Sequence, residues 1–241
     1  MVHTFYFFAR KPSLSRAGFD YHYIALHTKA GKRVPQMRRY IQNHRIPSLG
    51  GDSPYDAMSE LWSERPRREW AEQNPAYPAD EENFIDLGRT AYLSATDRVI
   101  VNSDERHSGM IQALFQLRRR LGMPIEDFRG YWLDVHAPIV RTLPGLRHYQ
   151  QCPMLDESYG PEGMADPRWD GVEEIWFDDY DAARRAIESI EYQRSLLPDF
   201  AHFSEPPGHF FAETALLMWP GKSVDEVRRE IATRSQQPWR D

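Results

Sequence analysis

The sequence is poor in several things whose absence narrows its function. It has one cysteine, Cys152, in 241 residues. That excludes an intrachain disulfide and any multi-cysteine metal site, and it suits a reducing compartment. No apolar run approaches the roughly 18 residues of a membrane span. The start, Met1-Val2-His3-Thr4-Phe5-Tyr6-Phe7-Phe8, lacks the basic opening and long apolar centre of a secretory signal. The expected setting is therefore the cytoplasm, away from membrane. There is no basic excess: the net charge is -6 and the pI about 5.9. Short basic bursts such as Arg118-Arg119-Arg120 sit beside acidic residues, so nucleic acid is not an expected partner. Glycine-rich phosphate loops, His-Glu-x-x-His, Gly-x-Ser-x-Gly and EF-hand patterns are all missing.

Aromatics are plentiful at 13%, and they recur in an ordered way. Phe19, His27, Pro35, Arg38, Tyr40 and Gln42 return as Phe128, His136, Pro144, Arg147, Tyr149 and Gln151, each exactly 109 residues later in count. Asp56, Glu60 and Trp62 return as Asp170, Glu174 and Trp176, 114 residues later. A period of about 110 is too long for a solenoid repeat. It reads as a small domain duplicated and fused: residues 1–105, then 106–221, with 222–241 as a C-terminal helix and tail.

Periodicity predicts strands over 3–9, 37–46, 56–63 and 90–101, and over 109–118, 146–153, 171–177 and 209–219. Helices are predicted over 14–33, 66–73, 124–142 and from Asp178 or Asp179 to about 192. Segments 74–80, 155–170 and 193–208 read as loop or irregular. Ser223-x-x-Glu226 has the form of a capping box opening a last helix. Each half thus runs β-α-β-β-α-β, the order of a ferredoxin-like antiparallel sheet with helices on one face. The expected fold is α+β, two such halves making an intrachain α+β barrel.

Spacings of four place Phe128, Trp132 and His136 on one helical face, and Phe19, Tyr23 and His27 likewise. Tyr149 and Tyr40 follow on the next strand. An imidazole and a phenol facing an aromatic hollow can move protons on a small molecule. The plain alternative is that all four are structural residues inherited by both copies. Arg147 and Arg38, two residues before each Tyr, could face the same side and hold a carboxylate or enolate. Trp176 and Trp62 are further lining candidates, with Glu174 and Glu60 two residues before them. Cys152 reads as a small core residue.

The segment Phe128-Arg129-Gly130-Tyr131-Trp132-Leu133-Asp134-Val135-His136-Ala137-Pro138, followed by Leu143-Pro144-Gly145-Leu146-Arg147-His148-Tyr149, resembles the EthD pattern. The first half resembles it only in outline, with Thr28-Lys29 in place of Ala-Pro. The resemblance implies a dimeric α+β barrel, related to methylmuconolactone methylisomerases and some polyketide cyclases. It also implies chemistry without metal or organic cofactor. It places His136 and Tyr149, with His27 and Tyr40 as counterparts, at catalytic positions. The function expected is a lyase or isomerase acting on a small hydrophobic, aromatic-derived or lactone-like metabolite. A non-catalytic binder or accessory protein of a catabolic pathway, and a haem-binding barrel, remain as alternatives. Dimerisation of the fused chain stays open.

Overall fold

The computed structural model describes all residues except 32, 33, 52, 104, 156–168, 221, 224, 227, 228, 230, 231 and 234–241. The fold is α+β, with antiparallel strand pairing in every ladder described below. The chain separates into two compact units. One holds residues 1–48, 53–94 and 212–241; the other holds 49–52 and 95–211.

In the first unit, β1 (Val2–Arg10) is an aromatic-rich, almost wholly buried strand. Such residues fit a pleated surface packed on both sides. It pairs with β3 (Ala57–Ser63), and β3 pairs with β2 (Met37–Arg45). With β4 (Ile85–Ala95) outside β1, and β9 (Gly208–Met218) pairing with β2 through residues 212–218, the order is β4-β1-β3-β2-β9. In the second unit β6 (Ile111–Leu117), β8 (Gly171–Phe177), β7 (Leu146–Pro153) and β5 (Arg98–Val101) follow in that order. The expected strand 90–101 is therefore two strands, β4 and β5.

The helix that joins β1 to β2, and the one that joins β6 to β7, each have three parts. In the first unit α1 (Arg16–Tyr21) opens on Ser15, whose side chain accepts from Gly18 N at 3.1 Å. A π-helical stretch His22–His27 and then α2 (Thr28–Gly31) complete it. In the second unit α5 (Ile125–Tyr131) has Glu126 and Asp127 in its first turn, where the helix dipole favours acids. A π stretch Trp132–His136 and α6 (Ala137–Val140) follow. The π turn does not depend on Pro138, because the first unit forms it with Lys29 at that place. Gly145, with φ of 74°, makes the turn into β7 in the left-handed region where glycine is unstrained.

Later helices differ from expectation. The Pro-rich segment read as loop holds α4 (Ala76–Glu81), preceded by α3 (Arg67–Ala71). Pro78 lies in the first turn of α4, where no intrahelical N–H is needed. The stretch read as irregular also folds. After α7 (Tyr180–Glu188), capped by Asp179 on Ala182 N at 2.8 Å, comes a π stretch Glu191–Leu196 and then α8 (Leu197–Phe203). The Ser223–Glu226 capping box forms reciprocally, at 2.6 and 3.2 Å. Most of the loop 155–170 and the tail from 234 lie outside the described residues. Among the described residues, no helix is long and apolar enough to cross a membrane.

Candidate active site

In the second unit the π stretch delivers Trp132 and His136 onto the face of the sheet formed by Tyr149 and Gln151 of β7 and Glu173 of β8. Because successive strand residues point to opposite faces, Gln151, paired with Glu173 across the ladder, and Tyr149, two residues earlier, share that face. Glu173 sits at the centre. Its carboxylate accepts from Trp132 Nε1 at 2.7 Å, Tyr149 Oη at 2.9 Å and His136 Nε2 at 3.2 Å. The imidazole's other nitrogen, Nδ1, donates to Asp199 of α8 at 2.6 Å, and Tyr131 Oη donates to the second Asp199 oxygen at 2.8 Å. Gln151 Nε2 donates to Tyr149 Oη at 2.9 Å and to the Trp132 carbonyl at 2.6 Å, tying strand to helix.

His136, Tyr149, Glu173 and Trp132 are each 0% exposed. Burial opposes the charged imidazole, but the Glu173 charge and the hydrogen bonds the ring donates to Asp199 and Glu173 outweigh it and raise the His136 pKa to about 9. Asp199 is held below the usual carboxylate range: burial works against this, and the bonds from His136 and Tyr131 prevail. Burial, then the Glu173 charge, pushes the Tyr149 hydroxyl well above its ordinary value. The result is an imidazolium clamped between two carboxylates, with a phenol on the far side of one of them. Buried charge of this kind persists only when paired and hydrogen-bonded.

The walls are aromatic. Phe200 and Phe203 lie 4.7 and 4.9 Å from the His136 ring, and Phe128 packs on Trp132 at 5.5 Å. Gly171 lets the Trp132 indole lie against β8, since a Cβ there would come within 2.8 Å of its ring.

The first unit repeats this frame with one decisive change. His27 Nδ1 meets Asp80 at 2.8 Å, as His136 meets Asp199, and His22 reaches the other Asp80 oxygen at 3.1 Å. Against the pull of burial, those two bonds lower the Asp80 pKa to about 2. Gln42 Nε2 donates to Tyr40 Oη at 2.8 Å and to the Tyr23 carbonyl at 2.7 Å, matching Gln151. Yet the residue 114 before Glu173 is Ser59. Its hydroxyl bonds Tyr23 at 2.8 Å, and no carboxylate joins imidazole to phenol there among the described residues. Phe19 packs against Phe8, Tyr23 and Phe84 in the aromatic core of this unit.

Not every expected residue joins the site. Arg147 and Arg38 are exposed and pair with Asp178 (2.8 Å) and Glu64. Each occupies a bulge, between Leu146 and His148 and between Met37 and Arg39. An extra residue there breaks the alternation that would have turned the guanidinium towards the Tyr. Trp176 and Trp62 lie on the opposite sheet face, beside Glu174 and Glu60. Glu174 accepts from Gln112, Gln150 and Trp176 at 2.8, 2.8 and 3.2 Å, and the Cys152 thiol reaches it at 3.4 Å. Trp62 stacks on His3, whose Nε2 is 3.4 Å from Glu60. Glu173 and Asp199 went unnoticed in the sequence. Two carboxylates set 37 and 63 residues from His136 carry no local signal.

Both His136 nitrogens face carboxylates, so this imidazole offers no free lone pair to a haem iron.

The EthD domain pattern matches residues 120–207. No curated protein matches the chain. Among solved structures, an anthrone oxidase-like protein is 11% identical, with a TM-score of 0.55, covering 92% of this chain and 94% of its own. A protein classed as a chlorite dismutase is 10% identical with a TM-score of 0.54, covering 89% and 94%. A protein of the EthD family from Bacillus halodurans is 20% identical, with a TM-score of 0.36, over 43% of this chain and 97% of its own. The first two likenesses concern the fold, that of dimeric α+β barrels. Residues 120–207, the stretch that the EthD domain pattern matches, carry His136, Tyr149, Glu173 and Asp199.

Proposed function

We propose that the second unit catalyses proton transfer on a small hydrophobic, aromatic-derived or lactone-like metabolite, as a lyase or isomerase working without metal or organic cofactor. The observation that carries this is the buried Glu173 carboxylate, held at once by an imidazole, a phenol and an indole. A structural core would gain nothing by keeping two acids and a base away from water, since apolar residues of similar volume are commonly as stable there. Such a cluster is what acid–base catalysis uses.

His136 is the acid: it stays protonated at neutral pH and carries a proton at Nε2. Glu173 is the base, taking a proton from substrate carbon while His136 protonates substrate oxygen. Tyr149 donates to the negative charge that develops between these steps. Asp199 holds the imidazole through Nδ1, and Gln151 fixes the phenol. The first unit keeps His27, Tyr40 and Asp80 but has Ser59 where the base should be. It is the vestigial copy. Its strand order β4-β1-β3-β2 is that of a ferredoxin-like fold, which supports the reading of the chain as two fused halves of that type.

The test is turnover of a panel of small enolisable carbonyl and lactone compounds. Glu173→Gln and His136→Gln should each lower it by about 10²-fold or more, and His27→Gln far less. Full turnover of a confirmed substrate by Glu173→Gln would overturn the assignment.

A further inference from the structure

The acid–base cluster is sealed, but an open cavity lies directly behind one of its walls. It holds about 570 Å³ and is lined by Arg120, Leu121, Leu197, Phe200, Ala201 and Pro206, among others. Phe200 belongs to both places: it borders the cavity, and its ring lies 4.7 Å from that of His136. The lining is largely apolar, and Leu121 is 97% exposed at it. Two charged residues line it. Glu205 is 3.8 Å from Arg118. The guanidinium of Arg120 has no hydrogen bond or ion pair among the described residues, although its backbone is pinned, N donating to the Phe203 carbonyl at 3.0 Å.

The geometry points to this cavity as the binding site for an aromatic carboxylate, whose ring rests on Leu197 and Phe200 and whose anion pairs with Arg120. Guanidinium binds carboxylate through two parallel N–H donors, and Arg120 stands at the exposed rim of the cavity. A volume of this size suits one or two fused rings. The site rests on the reading that His136 and Glu173 do the chemistry, and it names their substrate class. Phe200 is then the side chain that must turn aside for the ring to reach His136.

The experiment is calorimetric titration of the full chain with 2-naphthoate and with its neutral analogue 2-naphthamide. Wild type should bind the carboxylate about tenfold more tightly, equivalent to about 1.4 kcal/mol. Arg120→Leu should abolish that preference and leave naphthamide affinity in place. Ala201→Trp, at an exposed position that tolerates bulk, should abolish binding of both. Glu173→Gln should bind naphthoate as wild type does. No binding, equal binding of the two probes, or indifference to Arg120→Leu and Ala201→Trp would overturn the proposal. So would naphthoate failing to bind a chain that self-associates through Leu121, with Leu121→Asp restoring the monomer. Naphthoate bound through Arg120, together with undiminished turnover by Glu173→Gln, would leave the cavity standing and remove the acid–base reading instead.

Discussion

Stability should fall as pH rises through the titration of His136, and the size of that fall can be worked out. The folded imidazole titrates near 9 against 6.5 for a free one, so the folded state holds its proton more tightly than the unfolded chain does. Linkage then makes the contribution complete below about pH 6.5 and lost progressively up to about pH 9, at roughly 1.4 kcal/mol per pH unit. That amounts to about 3 kcal/mol, undiminished by solvent because the ring is fully buried. Urea unfolding of wild type and His136→Gln at about pH 6, 7.5 and 9 isolates it. Titrating groups that do not touch His136 are common to both proteins and largely cancel in the difference. The variant should be the less stable at pH 6, because two carboxylates are left without their cation, and the gap should narrow by about 3 kcal/mol by pH 9. An NMR titration of the wild-type imidazole gives the same answer without the variant. Parallel stability curves, or an imidazole titrating at or below 6.5, would refute the claim that Glu173 and Asp199 hold a cation between them.

Four further outcomes are expected. His148 is held neutral by burial and by Arg106, its pKa down to about 4; stability should therefore drop as pH falls from about 6.5 towards 4, and His148→Gln should flatten that acid limb in urea melts. Gly171→Ala forces a Cβ to within 2.8 Å of the Trp132 ring and 3.0 Å of the Cys152 carbonyl, and thermal unfolding should show a loss of about 1–3 kcal/mol. Arg147→Ala and Arg38→Ala remove only exposed ion pairs, so stability should change by less than about 1 kcal/mol and turnover should stay as it was. Tyr149→Phe leaves Glu173 and Gln151 each short of one partner. It should cost about 1–3 kcal/mol in denaturant unfolding and lower turnover with little change in substrate affinity.

Much of this was written in the chain. The two matched spacings predicted the α+β order and the strand after each helix. They did so because hydrophobic period and strand alternation are local properties. The helix carrying Phe128, Trp132 and His136 was equally legible, although its π turn was not, since that turn is a hydrogen-bonding choice the side chains do not announce.

The site itself was decided in three dimensions. Glu174 drew attention because its counterpart Glu60 repeats, yet alternation turns it to the face away from His136. Its neighbour Glu173, which has only Ser59 as counterpart, is the residue that touches the imidazole. Which of two adjacent glutamates meets the helix depends on how the helix packs across the sheet. Asp199 comes from a stretch whose sequence looked irregular and became helical only against Phe115 and His136. The bulges that turn Arg38 and Arg147 outwards are likewise products of strand pairing. The sequence by itself determined the elements and their repetition, because these follow from neighbours along the chain. Only the tertiary structure decided which acid serves which base, because hydrogen-bond partners 37 and 63 residues apart are chosen by packing.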